Sequence, residues 1–370
     1  MLKKKVYDIS KKDKILTHDI KRSYFNIIDR INYLLLIKQY LSSIKETNNC
    51  MRLYNFDENT NKPIFRIGTK IILDKQIGTE SRYGIVYLAH FKTNINYGSR
   101  FNKINRFAVK ITNQSIYNKL EIDILNKLTK LAIKLICPHF PISYGLLVCN
   151  NSHIKSNNPD DYSIVKDKHN YKFLFPKLIN KNKNLYIQIN ELASGDLHSN
   201  LLSQENKDIL NTIVQVLLSI MFFHNYIGVY HCDTHTGNFL YHKIKPGGYF
   251  HYNIYGKDYY LENKGYLWII WDFGLVQNFN NIPINYDFNY LLTRLNKYNE
   301  LDNYHIFDNN TINTILMLSN TIINKYDKIY DSRLLMSINK EILNFLLKNV
   351  SSFTTTKPSN IINKIPYIIR

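Results

Sequence analysis

The spacing of apolar residues changes several times along the chain, and each change marks an element. From His18 to Lys45 the apolar positions are Ile20, Tyr24, Ile27, Ile28, Ile31, Leu34, Leu35, Ile37, Leu41 and Ile44. Most are three or four apart, which predicts an amphipathic helix. Such a helix either packs on the rest of the chain or offers its apolar face to a partner. Residues 46–66 lose that period, are rich in asparagine and contain Pro63, so they read as a linker. Ile71 to Ile77 reads as a strand, and the alternation after Gly84 reads as the strand returning from a polar tip. Phe107 to Lys110 closes a further strand, Glu121 to Leu125 lies on a helix, and Leu185 to Leu192 is a strand running into a linker. Residues 149–171 are polar and read as an inserted surface loop.

The second half is more helical. Asn206 to Asn225 carries apolar residues at Ile209, Leu210, Ile213, Val216, Leu217, Ile220, Met221 and Phe222, the signature of a long buried helix. Turn signals at Pro246-Gly247-Gly248 and Asn263-Lys264-Gly265 bracket tyrosine-rich runs, which predicts an inserted hairpin over residues 243–265. Helical runs follow at Tyr286 to Leu295, Ile312 to Ile323 and Leu334 to Leu347, and the last two are expected to pack without carrying chemistry.

Composition adds bounds. The 370 residues suffice for two packed lobes, and 45% hydrophobic with 21% charged residues is an ordinary globular balance. The net charge of +19 would suit nucleic acid, an anionic membrane or acidic substrates. Lysine, asparagine, isoleucine and tyrosine are all inflated together, as an AT-rich genome produces. The charge therefore reads as solvated surface, with no specific nucleic-acid partner. Cys50, Cys137, Cys149 and Cys232 form no CxxC pair and no metal spacing, which predicts a reduced, intracellular, cytoplasmic protein. Apolar runs near the N-terminus, such as Tyr33 to Ile37, are too short to span a bilayer, and Lys3-Lys4-Lys5 precedes no apolar stretch, so no transmembrane segment or signal peptide is expected.

The chemistry concentrates between Tyr230 and Gly274. His231-Cys232-Asp233-Thr234-His235-Thr236-Gly237-Asn238 reads H-x-D-x-x-x-x-N, and Asp272-Phe273-Gly274 follows the apolar run Leu267 to Trp271. Phosphoryl transfer needs a carboxylate to orient the attacking hydroxyl and two ligands to hold Mg²⁺ on the phosphates. Asp233, Asn238 and Asp272 supply these in order, and the two pieces together are far more specific than either alone.

With these motifs the chain resembles the protein-kinase superfamily over about residues 70–300, in a divergent form similar to kinases of large DNA viruses. The resemblance implies an α+β, two-lobed fold. A basic extension (1–66) would precede a small antiparallel-sheet lobe with one main helix (67–192) and a larger, mostly helical lobe (193–370). It also implies ATP and Mg²⁺ as cofactors, and a virion-associated location as an alternative to the cytoplasm if the protein is viral. Ile77, Gly78, Thr79, Glu80, Ser81, Arg82, Tyr83, Gly84, Ile85 and Val86 would cover the nucleotide. Glu80 stands where the family's middle glycine belongs, and one extra residue separates Gly78 from Gly84. Ala108 would line the adenine site and Lys110 would hold the phosphates. Glu121 and Asp123 are the carboxylates able to pair with Lys110, and Glu121 fits the family's E-x-x-x-L spacing. Ile189 would be the gatekeeper, with Glu191 and Leu192 at the purine edge. Asp196 would reach the ribose or a basic substrate, or else cap a helix.

Catalytic roles would fall to Asp233, Lys110, Glu121 and His235, with Asn238 and Asp272 as metal ligands. Cys232 replaces the usual arginine, and His235 replaces the lysine that neutralises the transferring phosphoryl, as in D-x-H-x-x-N small-molecule phosphotransferases. No A-P-E follows Gly274, and Asp287 resembles the buried aspartate that braces the catalytic loop. The expected activity is transfer from ATP to Ser or Thr of protein substrates. A small-molecule kinase of the aminoglycoside or choline type and a nucleotide-binding pseudokinase are the alternatives.

Overall fold

Alternating buried positions in the first half of the chain build one large sheet. In this computed structural model the described residues are 27–42, 50–56, 63–77, 84–92, 106–150, 184–203, 208–298 and 306–370. They begin with helix α1 (Ile27–Ser42). Strands β1 (Met51–Phe56), β2 (Pro63–Ile67), β3 (Ile71–Ile77), β4 (Ile85–Phe91) and β5 (Arg106–Asn113) follow as a run of antiparallel neighbours. After helix α2 (Ile116–Ile133) come β6 (Ser143–Cys149) and β7 (Leu185–Asn190), and β7 lies between β5 and β6.

Three sequence expectations change here. Residues 46–66 are not simply a linker, because β1 and most of β2 fall within them. Met51, Leu53, Phe65 and Ile67 are buried at alternate positions, so the asparagines conceal a period of two. Cys50 and Cys149, 99 residues apart, are joined in a disulfide at the β1–β6 side of the lobe, where four free thiols were expected. The third concerns α1. It packs on β6 through Tyr33, Leu34 and Ile37 and buries Asp29 and Arg30 with them, so of its two readings the structure shows docking. The predicted residues 18–26 and 43–45 lie outside the described residues, as do 1–17 and 151–171.

The second lobe is larger and mostly helical, giving the two-lobed, kinase-like architecture expected. It opens with β8 (Gly195–Asp196), α3 (Leu197–Ser203) and α4 (Ile209–Ile227). Helix α4 starts at an Asp208 cap on Asn211 N and stops at Gly228, whose φ of 80° suits only glycine well. By length and composition α4 is apolar enough to cross a membrane, yet most of it is buried inside the protein. Its all-round apolarity is what a central core helix requires. Then come β9 (Val229–Tyr230), β10 (Phe239–Lys243), β11 (Tyr249–Ile254), β12 (Lys257–Glu262), β13 (Tyr266–Ile270) and β14 (Gln277–Asn278). Helices α5 (Tyr286–Asn296), α6 (Asn309–Tyr326) and α7 (Leu335–Asn349) and strands β15 (Phe353–Thr354) and β16 (Tyr367–Ile369) complete the lobe.

The predicted insert is the β11–β12 hairpin, turning at Tyr255-Gly256 with φ of 52° and 79°. It is flanked by β15 and β16, so the tail supplies two strands as well as helices.

Candidate active site

Two short strand pairs frame the site. β9 pairs with β14, and β10 pairs with β13, so the loop 231–238 and the segment 271–276 leave adjacent strands side by side. The loop backbone is fixed from below by Asp287 in the first turn of α5. Its carboxylate accepts from His231 N at 2.7 Å and Cys232 N at 2.8 Å, and pairs with His224 Nε2 at 2.7 Å. Burial, the largest single influence, would raise this carboxyl; the hydrogen bond and charge of His224 together with His231 outweigh it and hold the group below the usual range. Thr234 Oγ1 also donates to Asp287 O at 2.6 Å.

This anchoring stabilises unusual backbone. Cys232 and Asp272 have φ of 63° and 66°, a left-handed conformation costing side-chain-bearing residues about 1–3 kcal/mol each. His231 is buried between Phe223 and Phe273, with Nε2 2.9 Å from Trp271 O, which ties one motif to the other. Burial pushes the Cys232 thiol up to about 12, so it is not a nucleophile at neutral pH.

The reactive side chains converge above this base. Asn238 Nδ2 donates to Asp233 O at 2.8 Å and to Asp233 Oδ2 at 2.9 Å, which orients the carboxylate. His235 Nδ1 accepts from Gly237 N at 3.0 Å, and its Nε2 lies 3.6 Å from Asp233 Oδ2. From the other lobe, Lys110 Nζ donates to Glu121 Oε1 at 2.6 Å and Asp272 Oδ1 at 2.9 Å. Burial alone would lower the Lys110 pKa. The charges of Glu121 and Asp272 override this and hold the lysine above its ordinary value, fully protonated. Glu121 is pushed upward, chiefly by burial, with Lys110 opposing. Asp272 is held low because Lys110 outweighs its desolvation. Asp123, the other candidate partner, instead pairs with Lys119 on the exposed face of α2.

Register decides which remaining residues share the Lys110 side of the sheet. Ile77 pairs with Val86, Val86 with Lys110, and Lys110 with Gln188, making one cross-strand row on one face. Leu88, Ala108 and Asn190 form the next row on that face. Ile85 and Ile189 belong to intervening rows, opposite Ile111 and Val109, and so lie on the reverse face. This corrects the gatekeeper expectation: Ile189 faces away from Lys110, while Gln188 and Asn190 face the same way as Lys110. Strict alternation in Tyr186-Ile187-Gln188-Ile189-Asn190 was the overlooked signal.

Glu191 is also placed differently. Its carboxylate is buried, accepting from Arg30 Nε at 2.9 Å and Ile142 N at 2.8 Å, with His242 Nε2 at 3.1 Å. Its own N–H donates to Ile142 O at 3.0 Å, so neither group is directed to a purine edge. Leu192 is partly exposed just beyond β7. Asp196 Oδ1 accepts from Ser199 N at 2.7 Å, so of its possible roles the structure shows the helix cap. Gly84 is described, but Gly78, Thr79, Glu80, Ser81, Arg82 and Tyr83 lie outside the described residues.

A divalent cation fits this donor set only with help. Among the described residues no group of three His, Cys, Asp or Glu side chains could hold a metal ion. Asp272 keeps Oδ2 beyond its Lys110 contact, and Asn238, whose amide nitrogen is committed to Asp233, keeps its carbonyl oxygen. Two oxygen ligands completed by water and phosphate suit Mg²⁺, a hard cation that retains much of its hydration.

No family model matches the chain. It is 24% identical over 162 residues to "Putative serine/threonine-protein kinase 019R" of Frog virus 3 (isolate Goorha), covering 42% of this chain and 16% of that protein. Against "Probable serine/threonine-protein kinase 380R" of Invertebrate iridescent virus 6 it is 26% identical over 162 residues, covering 43% of this chain and 26% of that protein. "Uncharacterized protein 011L" of Invertebrate iridescent virus 3 is 26% identical over 160 residues, 42% of this chain and 19% of that protein. The matches thus span between 16% and 26% of these relatives. They establish a distant relationship to viral serine/threonine-kinase-like proteins, consistent with phosphotransfer.

Proposed function

We propose that the protein is an ATP-dependent phosphotransferase that acts on Ser or Thr hydroxyls of protein substrates. The observation carrying this reading is the bridge from Lys110 to both Glu121 and Asp272, set beside the Asp233–Asn238 pair. One fixed cation and four polar side chains are drawn together from distant parts of the chain. In this reading Lys110 holds the α- and β-phosphates and Glu121 fixes its position. Asp233 accepts or orients the proton of the attacking hydroxyl. Asn238 and Asp272 hold Mg²⁺, which neutralises charge on the phosphates when bound. His235, with Nε2 3.6 Å from Asp233 Oδ2, takes the place of the lysine that neutralises the transferring phosphoryl in the family. The names of the viral relatives support a protein acceptor.

A second reading, a small-molecule kinase, is favoured by a specific observation. Only residues 275–285 separate Gly274 from α5, and β14 and a 3-10 turn take up five of these eleven. Little chain remains there to support a peptide. Purified protein with Mg²⁺ and labelled ATP distinguishes the readings. Label on the protein itself or on a general protein substrate is expected. Label confined to small alcohols would transfer the assignment to the second reading, and ATP binding without turnover would leave a pseudokinase.

A further inference from the structure

The loop from His231 to Asn238 lies along helix α5 and is pinned at two points. Near the helix start, the Asp287 carboxylate accepts from His231 N and Cys232 N at 2.7 and 2.8 Å. Just past the helix end, Tyr298 OH lies 2.8 Å from Thr236 Oγ1. Asp233 and His235 fall between these pins, with side chains 23% and 41% exposed. On α5, Tyr290 and Arg294 follow Asp287 by three and seven residues, so they share its stripe of the helix surface. They therefore flank the stretch of loop that carries Asp233 and His235.

Arg294 is exposed and Tyr290 half-buried. Arg294 Nη2 donates to Tyr290 OH at 2.9 Å, and the guanidinium carbon lies 5.0 Å from the centre of that ring. Tyr290 stacks in turn on Tyr286, with ring centres 6.0 Å apart. A long side chain is thus laid on an aromatic ledge before any ligand arrives, which lowers the entropy lost on binding. The Tyr290 hydrogen bond raises the Arg294 pKa most, and the charge of Asp233 adds to it, so the guanidinium stands within electrostatic reach of that carboxylate. Among the described residues no carboxylate pairs with Arg294, and Tyr290 takes one of its N–H donors. Arg333, also exposed, is paired with Asp331. A guanidinium left open beside Asp233 suits a carboxylate or a phosphate, which it holds through charge-assisted N–H···O bonds.

We propose that Arg294, steadied by Tyr290, grips a second anion on the acceptor, so that the protein favours serine or threonine flanked by carboxylate or phosphate groups. The proposal rests on the protein-phosphotransferase reading above and names the acceptor chemistry which that reading leaves open.

The test compares kcat/KM, for the full chain with Mg²⁺ and ATP, on serine peptides alike except for their flanking residues: glutamate, phosphoserine, glutamine or lysine. At least one of the two anionic peptides is expected to exceed the glutamine peptide by about tenfold, through a lower KM. Whichever gains more identifies the anion as carboxylate or phosphate. Arg294→Gln should bring the anionic and glutamine peptides level. Arg294→Glu should put the lysine peptide ahead of both anionic ones, an inversion that damage to the fold does not produce. Equal use of the anionic and glutamine peptides by wild-type protein would overturn the proposal and leave the protein-kinase reading standing. So would a preference that survives Arg294→Gln. If wild-type protein labels none of the peptides, the protein-acceptor reading itself fails, and the proposal with it.

Discussion

Two buried clusters of paired charge each join residues of both lobes, and they are built differently. In one, Arg30 and Glu191 are each 1% exposed, and the guanidinium also donates to Pro138 O and Phe140 O at 2.9 and 2.8 Å. His242 and Ile142 N fill the rest of the carboxylate. In the other, Lys110 and Glu121 are buried, but the Asp272 side chain is 42% exposed. The first cluster is closed and braces the end of β7 against α1. The second is open on one side, toward the cleft, so its charges remain available to something outside the protein. Burial of charge is therefore a poor guide to function by itself; the open face is what distinguishes the site.

The largest expected effect breaks the open cluster. Asp233→Ala should lower transfer by about 10²–10⁴-fold while nucleotide affinity stays nearly intact, measured by turnover and by direct binding. Equal loss of binding would contradict the role given to Asp233. Lys110→Met should also lower the rate by orders of magnitude, yet unfold the protein little. Glu121 is already pushed toward protonation by burial and can become neutral.

The closed cluster should respond in the opposite sense. Arg30→Met leaves Glu191 charged and buried, and should destabilise the fold by about 3–5 kcal/mol in denaturant unfolding. Arg30→Met with Glu191→Met should recover most of that loss. If the single variant is as stable as wild type, the brace does not exist.

Acid separates the clusters further. Burial would raise the Glu191 carboxyl, but Arg30 and then His242 override it and hold it down at about 2, against an ordinary 4.5. A depressed carboxyl stabilises the fold fully above its unfolded value and loses that contribution as pH falls through the folded one. Stability should therefore drop between about pH 4.5 and pH 2. The double methionine variant should lack this part of the acid limb. The smallest effect expected is at the rim of the cleft. A Cβ on Gly84 would stand 2.9 Å from Thr112 Cγ2 and 3.4 Å from Lys110 Cε, so Gly84→Ala should weaken nucleotide affinity a few-fold through crowding.

What the sequence disclosed follows the range of the interaction. The loop from His231 to Asn238 and the Asp272 segment were legible because short spacings carry their chemistry. Lys110 with Glu121 was legible for the same reason, being 11 residues apart. The Arg30–Glu191 pair spans 161 residues, and no local pattern announces it. Glu191 was accordingly assigned to a nucleotide it does not face. Ile189 was misjudged by a single residue of register, which in a strand exchanges the two faces. β1 and β2 were hidden by asparagines, although Met51 and Leu53, like Phe65 and Ile67, already flank an arginine. The Cys50–Cys149 bond joins strands that only the folded sheet brings together.

The hairpin inserted between the 231–238 loop and the Asp272 segment has a consequence for synthesis. β11 takes Tyr367–Ile369 as a parallel neighbour, and β12 takes Phe353–Thr354. Its hydrogen-bonding edges thus stay incomplete until about a hundred further residues have left the ribosome. Translation will release the candidate site before its supporting sheet can close, and a nascent chain stalled short of residue 367 should carry the hairpin as an open edge ready to pair with a stranger.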